Sequence, residues 1–544
     1  MEKQIRTSWR RLVKMLSLDK RDIKQICYYA VFIGIVSLTI PLGIQAIINL
    51  LQTGQVSSSW VVLVFVVTLG VAFQGGLQVM QIRILENIQQ KIFTRTSFEF
   101  SYRLPKIKLD AFKNKHATEY ANYFFDVVGI QKGLSKILID FPAALLQIVF
   151  GLLLLSFYNA FFIFYGLLFV IILYFLFKYS VEKGLKSSIE ESNTKYKNAY
   201  WIQQVALGVK TFKNKPCEDF ILNQNNKLTD KYLQSREGHF RMLLFQFKKM
   251  IAFKVFITIG LLLIGGILVL NQKLNIGQFV ASEIIILMII NSVEKLVTGL
   301  ESFYDVLTSL EKIAYVVDKD LEEKMDGKLL PFKAKENKIE LKGIKAFENK
   351  KMIFEQGKTY IVHDNFGKKE TQLFDILSGI STKNQESLIV NENRFSHVDH
   401  DEYLQNVGIV LAKEEPFKGS ILENIALGKS DVSREDVLLL LEKLQLKKFI
   451  QTLKNGIDTI IQPYGSNLPD TVVKKILLAR EIFRKPKVLM LEHVFSQMSK
   501  KESEEIISFL QHNEEWILII ATNHDFTSKD FSVINFNKEN YLEK

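Results

Sequence analysis

Between Lys24 and Arg83 the chain reads QICYYAVFIGIVSLTIPLGIQAIINLLQTGQVSSSWVVLVFVVTLGVAFQGGLQVMQI, without a charged residue. A bilayer-spanning helix takes about 20 apolar residues. This run therefore holds two, with the polar stretch Gln52 to Ser59 as the turn between them. Charge is absent again between Asp140 and Lys178, where Tyr158-Asn159 divides the run. A third pair is expected at Val255 to Leu270 and Ile276 to Val293, separated by Asn271-Gln272-Lys273. The expectation is six spans in three tight pairs.

Charge sets the orientation. The turns within pairs carry almost no Lys or Arg, Lys273 excepted, whereas the long connections between pairs are basic. The first holds Arg83, Lys91, Arg95, Arg103, Lys106 and Lys108, and the second, Lys178 to Lys249, is similarly lysine-rich. Positive charge stays inside, so both connections and both termini are expected in the cytosol, in a multi-pass protein of the cytoplasmic (inner) membrane. The start Met1-Glu2-Lys3 has no apolar run near it, so no cleavable signal peptide is expected. Within residues 1–25, Trp9, Leu12, Val13 and Leu16 share a helix face, opposite Arg6, Arg10 and Lys14, the pattern of an interfacial helix on membrane lipid. Ile82, Leu85, Ile88 and Ile92 repeat at helical spacing, so the spans are expected to continue into the cytosol as helical hairpins.

Averages alone would mislead. The 544 residues suffice for three to four domains at about 150 residues each. The 48% hydrophobic and 24% charged fractions suit a soluble protein. The 41 Phe exclude a disordered chain, and two cysteines, Cys27 and Cys217, exclude a disulfide scaffold. The net charge of +12 fits basic cytosolic loops. Lysine pairs such as Lys474-Lys475 read as solvated faces, with no motif for nucleic acid beside them.

After about Leu296 the spans stop, and a connecting helix, Leu300 to Val317, leads to a linker at 318–337. From 338 to 544 strands are expected at Lys338–Leu341, Tyr360–Val362, Leu388–Val390, Val407–Leu411, Val488–Leu491 and Ile517–Ala521. Helical segments such as Ser433 to Leu444 and Val472 to Phe483 lie between them. Strands alternating with helices imply an α/β domain around parallel strands.

Four stretches carry a resemblance: LNIGQFVA at 274–281, PFKGSILENIALG at 416–428, ILLARE at 476–481 and PKVLMLE at 486–492. With the six spans of 26–317, they make the chain resemble a half-transporter of the type I ABC exporter family, nearest its secretion-type members. The resemblance implies a helical transmembrane domain plus an ABC-type nucleotide-binding domain. It also implies alternating access in a dimer, Mg²⁺ and ATP as cofactors, and a periplasmic adaptor as a partner in secretion systems.

Against that family the catalytic motifs are damaged. A phosphate loop needs glycines so that backbone N–H groups close around phosphates, a Lys for the β/γ-phosphates and a Ser/Thr for Mg²⁺. Framed by Gly357 and the strand Tyr360-Ile361-Val362, the loop here is His363 to Thr371. Lys369, Asn365 and Thr371 match, and with Gly367 they form what remains of a cofactor-binding loop. His363, Phe366 and Lys368 replace glycines, and Glu370 replaces the magnesium-binding hydroxyl. A non-glycine residue at positive φ costs about 1 kcal/mol or more. The metal-organising Asp and the catalytic Glu fall on Glu492 and His493, the Gln that follows the Val407–Leu411 strand on Ala412, and the γ-phosphate His on Asn523. The signature loop reads Leu468-Pro469-Asp470-Thr471-Val472, with its Ser and both glycines gone.

In the family each ATP site combines one subunit's phosphate loop with the other subunit's signature loop. Altered in both, this chain completes no site in a homodimer or in a heterodimer with another half-transporter. ATP binding is expected to be weak or absent and hydrolysis absent, so the expected function is an exporter subunit with a degenerate ATPase. A non-transporting membrane scaffold that docks partner proteins is the alternative. Glu283, deep in the last apolar run, is the candidate for the membrane pathway. Glu294 and Lys254 are expected at the membrane interface, snorkelling to water.

Overall fold

The computed structural model describes residues 2–52, 58–112, 117–178, 181–322, 327–333, 336–364, 367–379, 385–429, 432–524, 526, 531–536 and 542–543. It divides into two compact units, Met1–Glu322 and Glu323–Lys544.

The first unit is helical. Its helices are α1 (Glu2–Ser17), α2 (Lys20–Ser37), α3 (Thr39–Gln52), α4 (Ser58–Arg103), α5 (Ala117–Asn122) and α6 (Asp126–Ser135). They are followed by α7 (Phe141–Tyr158), α8 (Phe161–Lys178), α9 (Val181–Leu207), α10 (Val209–Lys213), α11 (Glu218–Leu270) and α12 (Ile276–Val317). Among the described residues five helical stretches are long and apolar enough to cross a membrane: Lys20–Gln52, Ser58–Lys106, Ala117–Tyr158, Glu218–Leu270 and Ile276–Val317. A shorter apolar helix, Phe161–Tyr174, stands at the expected fourth span. The break expected at Tyr158-Asn159 lies between α7 and α8.

At 1.5 Å per residue α4 and α11 extend about 70 and 80 Å, far beyond a hydrocarbon core of about 30 Å. The helices thus run on through the basic connections. The expected separate helix at Leu300 to Val317 is the continuation of α12. Nothing in 293–300 breaks it, because Val293, Leu296, Val297 and Leu300 are all buried and sustain one apolar stripe.

The LNIGQFVA stretch has a structural reason. Asn275 Oδ1 accepts the Gln278 N–H at 2.7 Å, and the Gln278 side chain accepts the Asn275 N–H at 3.0 Å. This capping box satisfies two orphan donors at the start of α12. A Cβ on Gly277 would lie 2.1 Å from Asn49 Oδ1, so the glycine allows α12 to approach α3. In α1, Leu12 is buried, Trp9 packs on Phe303 at 6.0 Å between ring centroids, and Arg11 meets Asp318 at 2.5 Å. Trp9 and Val13 remain about half exposed, so the apolar face is shared between the helical core and the outside.

The second unit contains β1 (Lys338–Leu341), β2 (Met352–Glu355), β3 (Thr359–His363), α13 (Lys368–Leu377), β4 (Leu388–Val390), β5 (Asn393–Arg394), α14 (His400–Asn406) and β6 (Val407–Val410). Then come β7 (Gly419–Ser420), α15 (Ile421–Ala426), α16 (Arg434–Lys443), α17 (Lys447–Thr452), β8 (Ile460–Ile461), α18 (Asp470–Phe483), β9 (Val488–Glu492), α19 (Lys500–Gln511), β10 (Ile517–Ala521), β11 (Phe531–Asn535) and β12 (Leu542–Glu543). The main sheet runs β12-β11-β3-β10-β9-β6, parallel except for β12. A second, antiparallel sheet runs β2-β1-β4-β5.

Every residue of β9 and β10 is buried, as expected for parallel strands covered on both faces. Their side chains alternate between two cores. Leu489, Leu491, Leu518 and Ile520 pack with Ile476 and Leu477 of α18. Met490 and Ile519 pack with Leu373 and Phe374 of α13. The carboxyl ends of β3, β10, β9 and β6 therefore lie along one edge of the sheet, where open α/β sheets place their ligands.

Candidate functional site

The residues read from the sequence as a phosphate loop, His363 to Thr371, fall at the end of β3 and the start of α13. Gly367, at φ 64, precedes the helix, in the left-handed region that glycine adopts without penalty. Asn365 lies outside the described residues. The first turn of α13 would offer backbone N–H groups to an anion. One is already taken: the Lys369 N–H donates to Asp364 Oδ2 at 2.7 Å. The loop's own carboxylate thus takes up a donor of its helix. Lys369 Nζ stands 5.7 Å from the centroid of the Phe536 ring.

Two residues later the helix meets β9. Thr371 Oγ1 donates to Glu492 Oε1 at 3.0 Å, and the Ala412 N–H donates to Glu492 Oε2 at 3.0 Å. Both oxygens of the carboxylate at the metal-organising position are held by protein donors. Ala412 has no side chain to offer a ligand, but its backbone closes the site from the end of β6.

Glu370 and His493 meet. His493 Nε2 lies 3.0 Å from Glu370 Oε2, with the Glu370 side chain 1% exposed. Contact with Glu370 raises the imidazole pKa above its ordinary value, against burial, which lowers it. His493 sits at φ 52 with its N–H donating to Ala521 O at 2.9 Å. A left-handed histidine is tolerated where contacts fix it, and here the Glu370 pair and the β10 bond do so.

The signature-loop positions lie at the entry to α18. Leu468 and Val472 are buried in the apolar core, Pro469 and Asp470 are exposed, and Thr471 is intermediate. Pro469 occupies the cap of α18 without a side-chain bond. At the end of β10, Asn523 is exposed, while His524 Nε2 contacts Phe495 O at 3.1 Å.

Lys474 and Lys475 are not solvated faces. Lys474 Nζ donates to the carbonyls of Leu411 and Ala412 at 3.0 and 2.7 Å, and Lys475 pairs with Glu502 at 2.5 Å with its side chain 4% exposed. On α18 both point inward, one tying the loop after β6 and the other neutralising α19. Sequence reasoning also missed Asp364, Glu414 and Arg480. Asp364 had no cap signal, because the cap of α13 is Gly367 three residues later. Arg480 has no such local signal, because its partners lie far away in sequence.

In the first unit Glu283 is half-buried on α12 with no ion pair or hydrogen bond to a described residue. Lys254 and Glu294 stand 3.6 Å apart, so they form a pair between α11 and α12 instead of reaching to water separately.

The family model described as the ABC transporter transmembrane region matches residues 26–293. Over that stretch the chain is similar to the transmembrane region of ABC transporters. The relatives agree. The uncharacterized ABC transporter ATP-binding protein YknU of Bacillus subtilis is 25% identical over 346 residues, 60% of this chain and 56% of that protein. The alpha-hemolysin translocation ATP-binding protein HlyB of Escherichia coli O157:H7 is 24% identical over 45% of this chain and 35% of its own. The chain thus spans about half or less of the length of these curated relatives. The fold matches a bacterial Atm1-family ABC exporter solved with ATP bound, at a TM-score of 0.82 and 14% identity, covering 95% of this chain and 93% of that one. A helical unit similar to an ABC transmembrane region, followed by an α/β unit, thus shares the fold of that exporter.

Proposed function

We propose that this chain is the non-hydrolysing subunit of an ABC exporter. It would work in the cytoplasmic (inner) membrane as a dimer with itself or with a second half-transporter, and its termini would lie on the side of the lysine-rich connections. The Glu370–His493 pair carries the reading. In this family a hydroxyl and a carboxylate at these positions serve Mg²⁺ and the attacking water. Here an acid and a base have taken those positions and pair at 3.0 Å, while Glu370 Oε1 and His493 Nδ1 are buried without a hydrogen-bond partner among the described residues.

The residues present do not fit Mg²⁺-ATP. Asp364 occupies a helix N–H that a phosphate would accept from, Glu492 has both oxygens bonded by protein donors, and Glu370 adds a third carboxylate nearby. Negative side chains around a polyphosphate position oppose its binding. No catalytic step is therefore routed through a nucleotide in this chain. Energy for transport would come from a partner subunit.

The test is ATP turnover by the full chain purified in lipid, with Lys369→Ala alongside. The expected result is no turnover above background for either. Turnover that Lys369→Ala abolishes would overturn the proposal and make the chain an active ATPase.

A further inference from the structure

Glu283 is an acidic residue within the apolar part of α12. The outward face of α7 carries Leu145, Val149, Leu153 and Phe157. In the apolar stretches of α8 and α11 the exposed residues include Phe164 and Leu167 on one and Val255 and Leu263 on the other. These are surfaces that lipid would cover. On α12 half of the most apolar window is buried, against 6–28% for the other long spans. Between residues 280 and 300 the most exposed residues of α12 fall along one line, which the half-buried Glu283 extends.

That line is Glu283, Leu287, Asn291, Lys295 and Thr298. Residues four apart share a helix face, so they form one strip. Apart from Leu287 it is polar. An ionised side chain facing lipid is costly, and such residues within spans turn toward an aqueous path or a partner.

Position along the strip separates its charges. Glu283 lies about 10 Å along the axis from the Ile276 end of α12, and Lys295 lies about 18 Å further. Glu294 is already paired with Lys254. Among the described residues Glu283 thus has no ionic partner, and it is flanked on its own helix by the half-buried Val280 and Ile284 and by the exposed Leu287. A divalent metal ion wants six or more oxygen ligands, and the strip offers one carboxylate with an amide two turns away. A carboxylate among apolar side chains suits a cation whose own body is apolar.

Resting on the transport reading above, we propose that Glu283 binds the positively charged group of an organic cation, the class of solute this transmembrane region takes up. Val280, Ile284 and Leu287 contact its apolar part.

The experiment is equilibrium binding of tetraphenylphosphonium to the full chain in lipid nanodiscs, without nucleotide. Tetraphenylborate, of the same shape and opposite charge, serves as the control. Saturable binding of the cation alone is expected. It should weaken at least about tenfold in Glu283→Gln, stay within about threefold in Glu283→Asp, and be unmoved in Glu294→Gln. The thermal midpoint of each variant shows that it is folded.

No cation binding by the wild type, equal binding of both ions, or full binding by Glu283→Gln would overturn the proposal. So would weakened self-association of Glu283→Gln with cation binding retained, which would make the carboxylate a contact between copies. Because the assay uses no ATP, these outcomes are independent of whether the α/β unit hydrolyses nucleotide.

Discussion

Replacing His493 with alanine is expected to destabilise the α/β unit by about 3 kcal/mol at slightly acid pH, because it strands a buried carboxylate. Glu370 would lose its ion-pair partner among the described residues, the imidazole of His493 when protonated. Removing the acid as well, in Glu370→Gln with His493→Ala, should return most of that loss, since no unpaired charge then remains inside. The difference between the summed single effects and the double is the coupling of the pair, expected at about 1–3 kcal/mol. Hydrogen exchange along residues 368–377 and 488–494 reads it locally, without assuming that the whole chain unfolds in one step.

The pH dependence has a definite sign. The folded-state pKa of His493 is raised above its ordinary 6.5 by Glu370. A base with a raised folded pKa contributes stability that is fully present below the unfolded value. That stability is lost as pH rises through the folded value. The gap in protection between wild type and His493→Ala should therefore narrow from about pH 6 to about pH 9. A gap that holds constant would show that His493 acts by packing alone and would remove the ion pair from the argument.

This pair also shows where sequence reading stopped. Each loss was visible singly: Glu370 for a hydroxyl and His493 for a carboxylate. That the two compensate was not visible, because the contact depends on α13 and the end of β9 lying together. That neighbourhood is set by β10, which pairs with both β3 and β9. By contrast the spans were legible, since a charge-free run of sufficient length has few other uses. The buried parallel strands Val488–Glu492 and Ile517–Ala521 were legible for the same reason. The short strands Gly419–Ser420 and Ile460–Ile461, which pair only with each other, carry too few residues for any periodicity to register.

The recognisable segments are the ones that still have structural work in the fold. The PFKGSILENIALG and ILLARE stretches meet at Arg480. Its Nε donates to Asn424 O at 2.6 Å, Nη2 to Asn424 Oδ1 at 3.0 Å and Nη1 to Glu414 Oε1 at 2.9 Å. Asn424 Nδ2 in turn donates to the carbonyls of Phe417 and Ser420 at 3.0 and 3.1 Å. Ser420 and Glu423 form a capping box on α15. None of these contacts needs a nucleotide, so a chain that gave up hydrolysis would keep them for stability.

Arg480→Met should accordingly be among the most damaging single changes in the α/β unit, at about 3–5 kcal/mol, although it leaves every catalytic position intact. Methionine replaces much of the volume but none of the donors, so Glu414 and the Asn424 carbonyl lose their partners. Arg480→Lys should fall between, because an ammonium keeps the charge without the planar fork. Burial raises the Glu414 pKa, while Arg480 and Lys474 pull it down. Without Arg480 it should rise further.

A carboxyl with a raised folded pKa opposes folding when ionised, and that penalty fades as pH falls through the folded value. The deficit of Arg480→Met should therefore be smaller at about pH 5 than at about pH 8, measured by hydrogen exchange over residues 416–428 and 476–483. Wild-type protection in the variant at both values would mean that these segments are not held by Arg480. Their persistence would then point back to a nucleotide, and against the proposed non-hydrolysing subunit.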